Sequence, residues 1–166
     1  DINSISFGGS DGTLLASGGD DDTVRIWDTR SGKQLMVLFG HRRNVNSVAF
    51  NSDGTVLASC DNTTAIIWDP ITGEELAVIP APKGLHETDD NFRFRSVSFT
   101  PDGHLVFGTN EHMLVWDTQE NAWHYLERGG PVRLVCQSDN LLLAAVSQVE
   151  LSFHPSWRAV STQNYE

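Results

Sequence analysis

Trp-Asp closes an apolar, strand-like run three times along this chain: TVRIWD at 23–28, AIIWD at 65–69 and MLVWD at 113–117. The tryptophans, Trp27, Trp68 and Trp116, are 41 and then 48 residues apart. A repeat of that length is too long for one hairpin and fits a four-stranded sheet built again and again along the chain. The flanking residues keep the same phase. INSISF at 2–7, VNSVAF at 45–50 and FRSVSF at 94–99 each lead into an Asp-Gly turn, at Asp11-Gly12, Asp53-Gly54 and Asp102-Gly103. Glycine there permits the backbone to reverse tightly.

A second strand follows each of these turns, as TLLAS at 13–17, TVLAS at 55–59 and HLVFG at 104–108, and the Trp-Asp strand is the third. After Trp-Asp comes another turn, TRSG, PITG or TQEN, and then a short strand such as KQLMVLF or ELAVI. A fourth unit keeps the strand periodicity without Trp-Asp: VRLVC at 132–136, LLLAAVS at 141–147, VELSF at 149–153 and WRAVS at 157–161. The expected fold is therefore all-β, with antiparallel four-stranded units at 2–40, 41–80, 94–130 and 131–163 and an inserted connection at 81–93. The 14 glycines and 6 prolines among 166 residues agree with a turn-rich chain.

Three Trp-Asp pairs in phase with three Asp-Gly turns resemble the WD40 repeat family, over essentially the whole length. The resemblance implies a β-propeller, in which four-stranded blades surround a central channel and serve as a protein-interaction scaffold. Family propellers often have seven blades, which at this repeat length would need roughly 290 residues. The shorter chain reads as a segment of a larger propeller, as half of a ring completed by another copy or chain, or as a compact four-blade ring.

The family pattern also supplies a hydrogen-bonded structural network: a histidine before the first strand, a hydroxyl on the second, an acid at the following turn and the Trp. Carried onto the second repeat, it implies His41, Ser59, Asp61 and Trp68, with Asn62 as the alternative turn group. The first repeat contributes Ser17, Asp21 and Trp27, and the sequence starts after the place where a histidine would stand. In the third, Trp116 remains, Asn110 replaces the acid and Gly108 follows Phe107 where a hydroxyl belongs, so the network is eroded. Phe7, Phe50 and Phe99 recur with the tryptophans as sheet core.

Other chemistries fare worse on the residues present. Ser59, His41 and Asp61 have the residue types of a nucleophilic triad, but there is no G-x-S-x-G elbow, and recurrence explains them as supports. His41, His86, His104, His112, His124 and His154 show no HExxH spacing, and Cys60 and Cys136 read as buried thiols, so any metal site would have to be assembled by the fold. Asp20-Asp21-Asp22 lacks the ligand order of a calcium loop, and no glycine-rich run ends in Lys-Ser/Thr. No catalytic residue, cofactor or metal is expected.

Eleven Lys and Arg against 22 Asp and Glu leave a net charge of -11, which disfavours nucleic acid and anionic membranes and favours a basic partner. Arg42-Arg43 and Arg93 with Arg95 carry no nucleic-acid recognition motif around them. No apolar run approaches the roughly 20 residues of a membrane span, and no signal segment opens the chain, so a cytoplasmic or nuclear protein is expected. Functional surface is sought where the repeats depart from their rule. Arg42, Arg43, Asn44 and Asn46 precede an inner strand, on the rim that the resemblance assigns to ligands. His86, Glu87, Asp89, Asp90 and Arg93 lie in APKGLHETDDNFRFR at 81–95, the inserted connection. The expected function is a non-enzymatic protein-interaction scaffold recognising a basic peptide or protein through these loops. The alternatives are an assembly module that completes a propeller with another chain or copy, and last a hydrolase.

Overall fold

The computed structural model describes residues 1–9, 11–82, 92–110, 112–128, 132–138, 141–146 and 152–154, with side-chain detail up to residue 124. The first sheet contains β1 (Ile2–Gly8), β2 (Leu14–Gly19), β3 (Thr23–Asp28) and β4 (Gln34–Phe39) in sequence order. The second contains β5 (Ser47–Phe50), β6 (Leu57–Cys60), β7 (Thr64–Trp68) and β8 (Glu75–Pro80), and the third β9 (Phe94–Phe99), β10 (Leu105–Thr109), β11 (His112–Asp117) and β12 (Ala122–Arg128). A fourth sheet has β13 (Val132–Ser138), β14 (Leu141–Val146) and β15 (Ser152–His154). All pairings are antiparallel. The strand expected at 157–161 lies outside the described residues.

The turns form for local reasons. Gly12, Gly54 and Gly103 all take positive φ, and each amide closes its turn on a carbonyl three residues earlier, at Gly9, Asn51 and Thr100. Gly54 is doubly constrained, since a Cβ there would stand 2.3 Å from the Gly9 backbone nitrogen of the adjacent blade. The aspartate of each Trp-Asp pair also acquires a role. Asp28 Oδ1 accepts the Ser31 amide at 2.7 Å, Asp69 Oδ1 those of Ile71 and Thr72 at 2.7 and 3.1 Å, and Asp117 Oδ1 those of Gln119 and Glu120 at 2.7 and 2.9 Å. A short acceptor side chain bonding backbone amides two or three residues on nucleates a turn, so the aspartate starts the reversal that leads into the outermost strand.

Blades join through two apolar layers. Leu14, Ala16, Val24, Ile26 and Leu38 of the first blade bury against Val45, Val48, Leu57, Ile66 and Trp68 of the second. The opposite face of the second blade, with Ala58, Cys60, Ala65 and Ile79, buries against Phe94, Val97, Phe99, Leu105, Phe107 and Leu114 of the third. Both faces of the second blade are therefore core, and its inner strands read as near-continuous buried runs, with every residue of β6 enclosed.

Neighbouring inner strands share no sheet ladder, and side chains bridge them instead. Ser4 Oγ accepts the Val48 amide and Ser6 Oγ the Phe50 amide, both at 3.1 Å, and Ser47 Oγ accepts the Val97 amide at 3.2 Å. Each hydroxyl belongs to one blade and each amide to the next. A carboxamide adds a second tie. Asn3 Nδ2 donates to Asp20 Oδ1 at 2.8 Å and to Val45 O at 3.1 Å, and Asn46 Nδ2 donates to Asn62 Oδ1 at 3.0 Å and to Phe94 O at 2.7 Å. Buried backbone groups that no strand pairing reaches are thereby satisfied.

Candidate functional site: a buried brace beneath a polar rim

The loop from β4 to β5 carries His41 into the interior and leaves the next three residues in solvent. His41 Nδ1 lies 3.0 Å from Asp61 Oδ2, and His41 Nε2 lies 2.6 Å from Ser59 Oγ. Trp68 Nε1–H donates to Ser59 Oγ at 2.7 Å. One proton arrangement satisfies all of these contacts: Ser59 donates its hydroxyl proton to His41 Nε2, and His41 Nδ1–H donates to Asp61. Burial pushes the Asp61 carboxyl up, but the hydrogen bond from His41 and those from the Thr63 and Thr64 amides outweigh it and hold the group below the usual carboxylate range.

The connectivity is that of a nucleophilic triad, yet the environment is wrong for one. Ser59 is fully buried, its oxygen already accepts an indole N–H, and His41 and Asp61 are almost wholly enclosed. A carbonyl has no approach to Ser59 Oγ, and an activated serine needs one. The arrangement holds the loop, the second strand and the Trp-Asp strand in one register. Asp61 faces the histidine, while Asn62 serves the carboxamide tie from Asn46.

The other repeats solve the same position differently. In the first, Trp27 Nε1 donates to Ser17 Oγ at 2.9 Å. Asp21 turns outward, takes the Thr23 hydroxyl at 2.8 Å and pairs with Arg25 at 2.7 Å. The Arg25 guanidinium, with Thr23, draws the Asp21 carboxyl down to about 2. In the third repeat the strand register corrects the alignment read from sequence. Leu15, Leu57 and Leu105 pair with Trp27, Trp68 and Trp116, so Phe107, and not Gly108, stands where Ser17 and Ser59 stand. From the glycine of the Asp-Gly turn to the leucine paired with the Trp, the third repeat is one residue shorter, Gly103 to Leu105 against Gly12 to Leu15 and Gly54 to Leu57, which shifts the match. An aromatic cluster occupies the space of the polar brace: Phe107 lies 4.7 Å from Phe94 and 5.2 Å from Trp123, and Trp123 lies 5.1 Å from Trp116.

Above the brace, Arg42, Arg43 and Asn44 are exposed. Asn44 Nδ2 donates to Asp20 Oδ1 at 2.8 Å, which joins this loop to the acidic turn of the first blade. Arg42 and Arg43 form no hydrogen bond or ion pair among the described residues. Asn46 differs from the expectation that it is an exposed rim contact, because its amide is half-buried and committed to the third blade. Arg93 is also half-buried, with Nη1 donating to the Phe92 carbonyl at 2.6 Å. Arg95, weighed in the sequence only as a nucleic-acid contact and left out of the rim candidates, is exposed and donates from Nε to Asn110 Oδ1 at 2.7 Å. Its position matches Asn3 and Asn46, and that change of residue type was the available signal. His86, Glu87, Asp89 and Asp90 lie outside the described residues.

Meandering four-stranded sheets joined face to face, with inner strands side by side, define a β-propeller of the WD-repeat class. A family model described as "WD domain, G-beta repeat" matches residues 1–28 and 32–69, so the first two blades carry WD40 repeats. It is similar to a "Guanine nucleotide-binding protein subunit beta" of Arabidopsis thaliana, 34% identical over 123 residues, which cover 71% of this chain and 32% of that protein. The like-named protein of Solanum tuberosum is 34% identical over 122 residues, covering 71% of this chain and 32% of its own length. The chain thus spans about a third of these relatives. A solved structure, "Structure of U3-55K", superposes with a TM-score of 0.78 over 92% of this chain and 45% of that chain at 16% identity, which shows a shared fold.

Proposed function

We propose that this chain is part of a non-enzymatic propeller scaffold that binds a protein or peptide across the rim formed by Arg42, Arg43 and Asn44. One observation carries the reading: two exposed guanidinium groups, unpaired among the described residues, sit on a loop whose base is fixed by the buried His41. A rigid base lowers the ordering cost of binding, and a free guanidinium makes bidentate bonds to carboxylate. The partner favoured is basic overall, drawn by the net charge of -11, with an acidic side chain placed against the arginine pair. Proteins captured by the parent chain should be compared with those captured by an Arg42→Glu, Arg43→Glu double variant and by Arg30→Glu, at a different turn. Charge reversal on the rim should reduce specific recovery at least tenfold and Arg30→Glu should not. An unchanged partner set in the double variant refutes the rim assignment.

A second reading, assembly with further blades or another chain, is favoured by the outer face of the first blade. Ile2, Ile5 and Phe7 are 68%, 58% and 67% exposed, whereas Val45 and Val48, which match Ile2 and Ile5 in the next repeat, are 0% and 4% exposed. A sheet face with the composition of a blade interface fits another blade. Sedimentation of the full-length protein should show this face covered, with Ile5→Asp lowering either the assembly mass or the unfolding midpoint. If Ile5→Asp changes neither, the face is a free surface and this reading fails.

A further inference from the structure

Three blades of one chain provide their own internal comparison, and the third departs from the others at one outer corner. Where the first two blades carry Leu35 and Leu76, directly after the residue paired with the Trp, the third carries His124. Where they carry Ser31 and Thr72 in the turn, it carries Glu120. Where they carry Leu14 and Val56, just before the Leu paired with the Trp, it carries His104. Apolar and hydroxyl positions have become two imidazoles and a carboxylate, beside Asp117, the Trp-Asp aspartate whose counterparts in the first two blades are Asp28 and Asp69.

The fold brings these changes together. His124 Nε2 lies 3.4 Å from Glu120 Oε2, and one donor atom from each of Asp117, Glu120 and His124 lies within 4.8 Å of the others. Asp117 uses Oδ1 for the turn amides, and His104 Nδ1 approaches the same oxygen at 3.5 Å. Oδ2 has no hydrogen bond among the described residues. His104 Nδ1 accepts the Thr118 amide at 3.2 Å, which spends its lone pair and makes it a support for the turn. The His104 ring also stands 3.5 Å from Asp102 through Nε2.

We propose that Asp117, Glu120 and His124 form a binding site for a divalent transition-metal ion of the zinc type, with water or a partner's side chain completing the coordination. An imidazole with carboxylates suits zinc better than calcium or magnesium, which favour sets made wholly of oxygen. Metal–ligand bonds of about 2.0–2.2 Å require the donors to close by about 1 Å, and the exposed Glu120 side chain is free to supply that movement. The repeat comparison separates this corner from ordinary surface charge, because the positions that match Glu120 and His124 in the other blades carry Ser31 and Thr72, and Leu35 and Leu76.

The test is calorimetric titration of the full chain with zinc chloride, with magnesium and calcium chloride as parallel arms. The variants His124→Leu and Glu120→Thr restore what the second blade already carries, and their unfolding midpoints show that the sheet is intact. One zinc equivalent is expected, at least tenfold weaker in each variant, with the His124 ring resonances shifting on saturation. Failure of the parent chain to take up zinc overturns the proposal. So does equal uptake by both variants, which means an adventitious ion only, and so does binding of calcium or magnesium as tight as that of zinc.

Discussion

Replacing His41 with alanine is expected to cost the protein about 3–5 kcal/mol of stability, the usual penalty for removing one member of a buried, hydrogen-bonded polar pair. The loss is large because the remaining groups cannot find water. Asp61 would keep a charge below the rim with only amides to answer it, and Ser59 would lose its close acceptor at 2.6 Å and keep only the Ile66 carbonyl at 3.5 Å. Urea unfolding with an unchanged slope measures the difference directly, and Arg30→Ala, an exposed ion-pair partner, should stay within about 0.5 kcal/mol of the parent. A loss below about 1 kcal/mol for His41→Ala would refute the structural account of the brace. The pH dependence has a definite sign. Asp61 is held below its ordinary range in the folded protein, so its contribution is present above the unfolded value of about 3.9 and disappears as pH falls through the folded value. Asp61→Asn should therefore flatten the acid limb of the stability curve and leave neutral-pH stability reduced.

Phe107→Ala should be about as damaging, at about 3–5 kcal/mol, for an unrelated reason. Phe107 is wholly enclosed, and its ring is a shared wall between Phe94 and Trp123. Removing it opens a void against the stacked pair of Phe94 and Trp123, whose centroids are 5.7 Å apart. Tryptophan emission should shift to longer wavelength as Trp123 gains access to water, and the unfolding midpoint should fall. An unchanged midpoint would mean that the third blade is not held by this cluster. Together the two substitutions separate a polar and an aromatic solution to one structural problem within a single chain.

What was legible in the sequence was whatever recurs locally. The Trp-Asp pairs, the Asp-Gly turns and the alternation of each strand depend on residues a few positions apart, so their period could be read directly. What crosses between blades could not. Asn46 looks like a surface amide because its acceptor, the Phe94 carbonyl, is 48 residues away. The Phe107 assignment slipped by one because a short turn leaves no mark in an ungapped alignment, and only the pairing of Leu105 with Trp116 reveals it. His104 and His124 showed no metal-ligand spacing in the sequence, because only the pairing of β10 with β11 and of β11 with β12 brings their side chains to one corner.

The serine bridges between inner strands all run one way along the chain: hydroxyl acceptors on one blade meet amide donors on the next. A propeller fastened like this has a grammatical direction, in which each blade completes the one before it. Ser96 matches Ser4 and Ser47, and its buried hydroxyl has no partner among the described residues. Any sheet that closes onto the first blade must offer it a forward face, and the inner-strand amides of the first blade are the donors such a face would meet. Completion by another chain would then be head-to-tail, a heterologous join that closes only if its rotation does. A two-fold pairing of two first-blade faces would bury the apolar side chains and leave those amides facing one another.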